Sequence, residues 1–484
     1  MKKRMTLIFI VIIGLLVACG NTEEVVENDE GNQSDGVTLK VVYKDEGPSN
    51  EQAVEYYERL SALLKEHEDI DVEFELVEVA QGDYPEKLNL LLNTGEIPDI
   101  IYFQGGDEPI VEQDLLEDLT PYIEESKYLK DILAEHNKSR LESYPYLLWV
   151  KNIDHRIPVV RSDFYDAVDG DSLLDDPTPE NYKEFFSQVV AENDTDNAIT
   201  VAGDINELNA IFDMAFGINQ SWLEEDGALV YKNVSEKEKE KLAFYNELYE
   251  ENLLDNTFLT KQWDTKEDAF YNNESAVIAG TNGKVIDFYN SRMKQINGDE
   301  AELKVLPPAK GIDQGFGAVN ITKESRGLAI SAISEHKDVA FKVLDFMASP
   351  EGQLFDRFGF EDVHYTLEDD EITLTDDYYA NWYARYWEPK EINIPYSINP
   401  ETPYLSSPAI DSIEMASEFY SEDNNFLLPE ELKADWDTMQ NLYVEFAADV
   451  ITGKVDIEEF DDFVDQWYKA GGDKLTELAN ENLN

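Results

Sequence analysis

Val37-Thr38-Leu39-Lys40-Val41-Val42-Tyr43 opens the stretch in which short apolar runs alternate with helical periods, and this alternation decides the fold. The run is rich in β-branched residues and reads as a strand. After Pro48-Ser49, apolar residues recur at threes and fours through Ala53, Val54, Tyr57, Leu60, Leu63 and Leu64, which is the period of an amphipathic helix. Ile70, Val72, Phe74 and Leu76 then alternate with Asp71, Glu73 and Glu75, the pattern of a half-buried strand. Leu88, Leu91 and Leu92 belong to a second helix that Gly95 ends. Ile97–Phe103 is a further short strand, bounded by Pro98 and by Gly105-Gly106. Strand, helix, strand, helix, strand predicts an α/β layer with a mostly parallel sheet. Ligands of such sheets sit beyond the carboxyl ends of the strands. That rule places Tyr43, Gln104 and Asp107 at the edge of a cleft.

Downstream, Tyr146–Val150 and Ile157–Arg161 read as strands crossing into a second lobe. Pro177-Thr178-Pro179 introduces a helix over 180–190, with Tyr182, Phe185, Phe186 and Val189 on one face. Ser235 caps a long helix, and Glu274–Gly283 is a strand ending in Gly280-Thr281-Asn282-Gly283. Pro307-Pro308 and the stretch 311–317 mark a crossing back, and the last third is helical. The expected organisation is one lobe over 37–150 with about 296–345 returning to it, and a second over 151–295 with about 346–484 adding to it.

Upstream of the first strand the chain changes character. Lys2, Lys3 and Arg4 precede an unbroken apolar or small run, Met5–Ala18, and Cys19 follows it as the only cysteine of 484 residues. A bilayer span takes ~20 apolar residues, so residues 1–18 read as a secretory signal peptide. Leu16-Val17-Ala18-Cys19 resembles the lipobox of bacterial lipoproteins, in which the cysteine thiol receives a diacylglyceryl group. Residues 19–36 are polar, acidic and free of aromatics, as expected of a flexible tether.

The formal net charge of −66 makes nucleic acid and anionic lipid poor partners, because such a surface repels them. A single cysteine permits no internal disulfide, so stability rests on packing. Motifs for enzyme chemistry are missing. The five histidines include no pair at the i,i+4 spacing of a zinc helix, and neither a G-x-S-x-G elbow nor a P-loop occurs. With 104 Asp and Glu, an acid pair for glycoside hydrolysis cannot be singled out.

Aromatic residues carry more information. Trp382-Tyr383-Ala384-Arg385-Tyr386-Trp387 is a dense cluster between an acidic loop and the proline-rich stretch 389–408, a context expected at the surface. Aromatic planes stack on the apolar faces of sugars while amides, carboxylates and Arg bind their hydroxyl rims. Trp436 and Trp467 lie on amphipathic helices and read as core. Lys151, His155, Arg156 and Arg161 form a locally basic stretch with Asp154. Pairing with neighbouring acids is the expectation there, and contact with an acidic sugar is the alternative.

Several ordered runs resemble the extracellular solute-binding proteins of carbohydrate ABC importers, in their long Gram-positive lipoprotein branch. They are Gly95-Glu96-Ile97-Pro98-Asp99-Ile100-Ile101, Leu115–Ile123, Trp263–Tyr271, Leu344–Gly352, Val363-His364-Tyr365, Ile451–Lys454 and Gly471–Lys474. The resemblance implies a two-lobed flytrap, each lobe a mostly parallel sheet flanked by helices, with a helical C-terminal region. It also implies hinge closure on an oligosaccharide, docking on permease subunits, and ATP hydrolysis by a separate subunit, which fits the missing P-loop. Branch members often carry a calcium loop after the helix that Thr178-Pro179-Glu180 opens. Here the candidate ligands Asp194 and Asp196 are followed by no acid at the ligand spacing, and Ca²⁺ wants six to eight oxygens, so no cofactor is expected, with a calcium ion at Asp194 and Asp196 as the alternative.

The sequence thus predicts a monomeric, non-enzymatic carbohydrate-binding lipoprotein on the outer face of the cell membrane. Candidate ligand contacts are Tyr43, Gln104, Asp107, Trp149, Trp222, Asn282, Phe316, Trp382, Tyr386 and Trp387, with Cys19 for lipidation. A secreted polysaccharide-degrading enzyme and a peptide- or metal-binding lipoprotein are the alternatives.

Overall fold

The structure, a computed structural model, describes residues 36–80, 83–389 and 391–483. The expected signal peptide, Cys19 and nearly all of the tether lie outside the described residues. Residues 37–483 contain two α/β lobes, each built on a four-stranded sheet.

In the first lobe the strands run in the order Gly327–Ile330, Ile100–Phe103, Val37–Val42, Val72–Leu76. The last three are mutually parallel, with Val41 opposite both Ile100 and Leu76, while Gly327–Ile330 pairs antiparallel with Ile100–Phe103. All four residues of Ile100–Phe103 are buried, as befits a strand covered on both faces. The helix Glu51–Glu68 covers one face through Ala53, Tyr56, Tyr57, Leu60 and Leu64, and its period is the one that the sequence shows. The Asn50 side chain accepts from the Ala53 N–H at 3.1 Å and caps the start, and Asp69 ends it in the left-handed region.

The second sheet runs Asn197–Thr200, Ser275–Thr281, Arg156–Arg161, Leu303–Val305. Only its first pair is parallel, so the sheet is mixed where a mostly parallel one was expected. The cause is the crossing strand: Arg156–Arg161 enters from the first lobe and runs against both neighbours. Tyr146–Val150, expected as a strand, makes only an isolated bridge between Leu148 and Leu328. A hairpin, Trp222–Glu225 with Ala228–Tyr231, projects from this lobe. Its two-residue turn has φ of 52° at Asp226 and 79° at Gly227, the positive values that suit the twist of a hairpin.

Two large hydrophobic cores mark the lobes. The first gathers residues between Leu39 and Val150 and again between Leu328 and Trp387. The second gathers residues from Val160 to Ala309 and again from Leu432 to Ala479. The chain therefore returns later than expected. Leu303–Val305 still pairs within the second sheet, and only Gly327–Ile330 rejoins the first. Residues 346–387 stay with the first lobe, because Phe355, Phe358, Trp382, Tyr386 and Trp387 fill its core. The helices Glu430–Ile451, Phe460–Trp467 and Asp473–Leu483 then complete the second. Among the described residues no helix is long and apolar enough to cross a membrane.

Candidate functional site

A cleft of about 820 Å³ opens between residues of the two cores. Its first-lobe wall starts where the strand Ile100–Phe103 ends. Gly105 and Gly106 have φ of 84° and 77°, and a Cβ on Gly106 would lie 2.5 Å from Asn89 Nδ2, so the turn requires glycine. Asp107 follows, fully buried: its carboxylate accepts from Tyr144 Oη at 2.7 Å and pairs with Lys323 Nζ at 2.8 Å. Its Oδ1 has no partner. Lys323 ties the segment 320–325 to this wall, and Glu324, also buried, takes Arg140 at 2.5 Å.

The floor is the crossover 151–156. Lys151 Nζ lies 2.5 Å from Asp154 Oδ2, and His136 Nε2 is 3.0 Å from the Lys151 carbonyl. The His155 N–H donates to Asn282 Oδ1 at 2.8 Å, and Asn282 Nδ2 donates to the Ile153 carbonyl at 3.0 Å. Asn282 therefore spends its amide on bracing the crossover. The His155 ring packs 5.7 Å from Phe316, and its buried Nε2 has no partner. Burial pushes the His155 pKa down to about 4, so the ring is neutral at physiological pH. Glu108 is pushed up by burial, but hydrogen bonds from Lys433 and Lys323 outweigh this and hold it below its ordinary value.

The second-lobe wall is aromatic. Trp222 stacks on Phe426 at 6.1 Å and meets Tyr231 edge-on at 5.3 Å, and Trp436 meets Tyr231 edge-on at 5.4 Å. Asn424 fixes Trp222 by its backbone: Trp222 N donates to Asn424 Oδ1 at 3.0 Å, and Asn424 Nδ2 donates to the Trp222 carbonyl at 2.8 Å. Leu427 and Leu428 extend this wall into a neighbouring recess of about 440 Å³. One wall thus presents apolar planes and the opposite wall hydrogen-bonding groups, the arrangement needed to hold an amphipathic solute.

Of the sequence candidates, Trp222 and Phe316 line the cleft. Gln104 and Asp107 flank the lining residues Gly105, Gly106 and Glu108, as the strand-end rule placed them. Tyr43 stacks on Tyr102 at 4.3 Å and donates to the Arg385 carbonyl at 2.8 Å, inside the first core. Trp149 packs edge-on against Trp387 in the same core. Trp382, Tyr386 and Trp387, expected at the surface, are 7%, 1% and 1% exposed. Trp382 Nε1 donates to the Asp356 carbonyl and Trp387 Nε1 to the Leu344 carbonyl, both at 2.9 Å. The cluster is therefore core, drawn inward by Asp356 and by the Arg385–Glu46 pair, whose Nε–Oε1 distance is 2.5 Å.

The sequence reading missed Trp436, assigned to core but lining the cleft, and Tyr231, Phe426, Leu427 and Leu428. The apolar triplet Phe426-Leu427-Leu428 between Asn424-Asn425 and Pro429 was the available signal. Of the basic stretch, Lys151, His155 and Arg156 line the cleft, while Arg161 Nε pairs with Asp163 at 2.9 Å. Asp194 ends the helix Pro179–Asn193 in the left-handed region. No group of three or more metal-ligating side chains is found among the described residues.

Two α/β lobes with a lined cleft between them define a binding protein of the flytrap class. Residues 47–354 match the bacterial extracellular solute-binding proteins, and the chain belongs to that family. Lipoprotein LipO of Bacillus subtilis (strain 168) is 20% identical over 445 residues, covering 84% of this chain and 86% of its own. An N-glycan transport solute-binding protein from Streptococcus pneumoniae shares the fold at a TM-score of 0.67 and 16% identity, over 92% of this chain and 98% of that one. The alginate-binding protein AlgQ2 superposes at 0.62 and 14% identity, covering 93% of this chain and 98% of its own. An HMO-binding, ABC-transporter-associated protein from Bifidobacterium longum infantis also reaches 0.62 at 14%, over 92% and 98%.

Proposed function

We propose that this protein is the lipid-anchored solute-binding component of an ABC importer, taking an oligosaccharide into the interlobe cleft and passing it unaltered to a permease. The observation that carries the reading is the cleft itself, with a Trp222–Phe426–Trp436 wall facing a wall of polar and charged side chains. Aromatic faces stack on the C–H surfaces of sugar rings, and the opposite groups reach the hydroxyls. Relatives of the same fold described as binding alginate or transporting N-glycans support a saccharide as the solute.

In this reading Phe426 and Trp436 and the small open edges of Trp222 and Phe316, each 2% exposed, contact the ligand, Gln104 and Asp107 frame it, and no cofactor or bond cleavage is involved. Closure is a hinge motion at the crossovers near 151–156 and 306–326, where few residues absorb the change in backbone angle. Cys19 carries the diacylglyceryl anchor, and two acyl chains hold a protein on a bilayer where one is marginal.

A thermal-shift panel of oligosaccharides tests the binding, because a ligand of the native state raises Tm by mass action. At least one saccharide should raise Tm and be recovered intact. Release of reducing ends would make the protein an enzyme, and a response only to peptides would end the saccharide reading. For the anchor, Cys19→Ala should move the protein from the membrane fraction to the medium.

A further inference from the structure

The described residues include eight arginines, and five of them (Arg59, Arg140, Arg161, Arg357 and Arg385) have a carboxylate within ion-pair distance. Arg292 is exposed. Arg156 and Arg326 are half-buried, and neither has a carboxylate within 4.0 Å among the described residues. In a chain with 104 acids and 38 Lys and Arg, a partly buried guanidinium could readily have been given a partner.

Their placement gives the exception a direction. Arg156 lines the cleft from the second lobe, donates to Thr281 Oγ1, and lies 5.4 Å from the ring of Trp263, which is 40% exposed. Arg326 is not itself a lining residue: it follows the cleft-lining Ser325 on the first lobe and lies 5.6 Å from the ring of Trp149 in the first core. A ring face holds a guanidinium by its quadrupole and leaves the N–H edge free. The acids that face them are engaged elsewhere: Glu207, which faces Arg156, pairs with Lys266 at 2.5 Å, and of the two that face Arg326, Asp154 pairs with Lys151 and Glu388 with Arg357.

We infer that the cleft recognises a saccharide carrying an oxyanion, a carboxylate or a sulfate, gripped between Arg156 of one lobe and Arg326 of the other. The planar fork of each side chain matches either group in two-pronged fashion. The overall negative charge does not forbid this, since charges beyond about 8 Å are screened at physiological salt.

The inference rests on the saccharide reading, so the experiment separates the two. Calorimetry on the purified full chain would compare oligogalacturonates with their methyl esters, and sulfated galactan oligosaccharides with their desulfated parents. An anionic member should bind at least about tenfold tighter than its neutral partner, with a preference that shrinks at high salt. Which pair shows the difference identifies carboxylate or sulfate. Arg156→Gln and Arg326→Gln should each remove most of the preference, the loss being much larger for the anionic member of each pair than for its neutral partner, whereas an equal loss for both members would count against the inference. Should one variant fail to fold, the ester comparison on the unaltered protein still decides. Neutral oligosaccharides binding as well as anionic ones, or binding alone, overturns the inference and leaves the saccharide reading standing. Binding of no saccharide, charged or neutral, overturns both.

Discussion

Two aromatic clusters of similar composition have opposite fates in this molecule. Trp382, Tyr386 and Trp387 sit close together in the sequence and are consumed by the first core, each tryptophan N–H satisfied by a backbone carbonyl. Trp222, Phe426 and Trp436 are scattered over more than two hundred residues and assemble into the wall of the cleft, the half-buried Phe426 and Trp436 in front and Trp222, itself part of the second core, behind them. Local density of aromatics therefore marks neither surface nor site. The first cluster is held inward by the partners of its polar edges and by the acid beneath it. Asp356 accepts from Tyr56 Oη at 2.7 Å, Arg385 N at 2.9 Å and Tyr386 N at 3.1 Å, pinning the 382–387 segment inward.

The comparison is broken most decisively by Trp387→Ala. Loss of so large a buried side chain should cost about 3–5 kcal/mol of stability, read from denaturant unfolding, with the ligand affinity of the folded protein preserved. A Trp387→Ala protein of normal stability that no longer binds would reverse the assignment. His155, on the floor between the clusters, gives the next effect. Its folded pKa lies at about 4 against an ordinary 6.5, so its contribution is complete above pH 6.5 and is lost as pH falls through 4. Below pH 6.5 the unfolded chain binds the extra proton. The stability of the wild type should thus drop relative to His155→Gln by up to about 3 kcal/mol across that window. Parallel pH–stability curves would show that the ring is not held neutral.

A smaller effect is expected at the cleft wall. Trp436→Ala should weaken saccharide binding by about 1 kcal/mol, roughly fivefold by calorimetry, and disturb stability less than Trp387→Ala does. Equal losses of stability in both variants would erase the contrast between wall and core. The smallest effect belongs to Lys433, which reaches from the helix Glu430–Ile451 of the second lobe to Glu108 of the first at 2.8 Å. Lys433→Met should change affinity by less than about 1 kcal/mol, in a salt-dependent way, because the pair is partly exposed. A larger change that salt does not affect would make Lys433 a ligand contact.

Much of the fold could be read locally. The strand–helix alternation from Val37 to Phe103 appears with its helix face intact, because strands and helix faces depend on periods of two and 3.6 within one segment. Of the three residues that the strand-end rule put at a cleft edge, Gln104 and Asp107 adjoin the lining residues, while Tyr43 packs in the first core. The second sheet escaped the reading, since the direction of Arg156–Arg161 depends on where the chain comes from. Trp436 escaped for a related reason: a helix period shows which face is apolar but not whether a core or a cleft receives it.

While the two-lobed form was what the family resemblance implied, composition and periodicity alone established an α/β chain, a strongly negative net charge, no internal disulfide and a basic stretch at 151–161. These are properties of single segments or of sums over residues, so no long-range geometry is required to know them. Tertiary structure decided which tryptophans are core, which lobe each returning segment joins, and which arginines lack an acid. Those depend on side chains more than a hundred residues apart meeting within a few ångströms, and such meetings leave no period in the sequence.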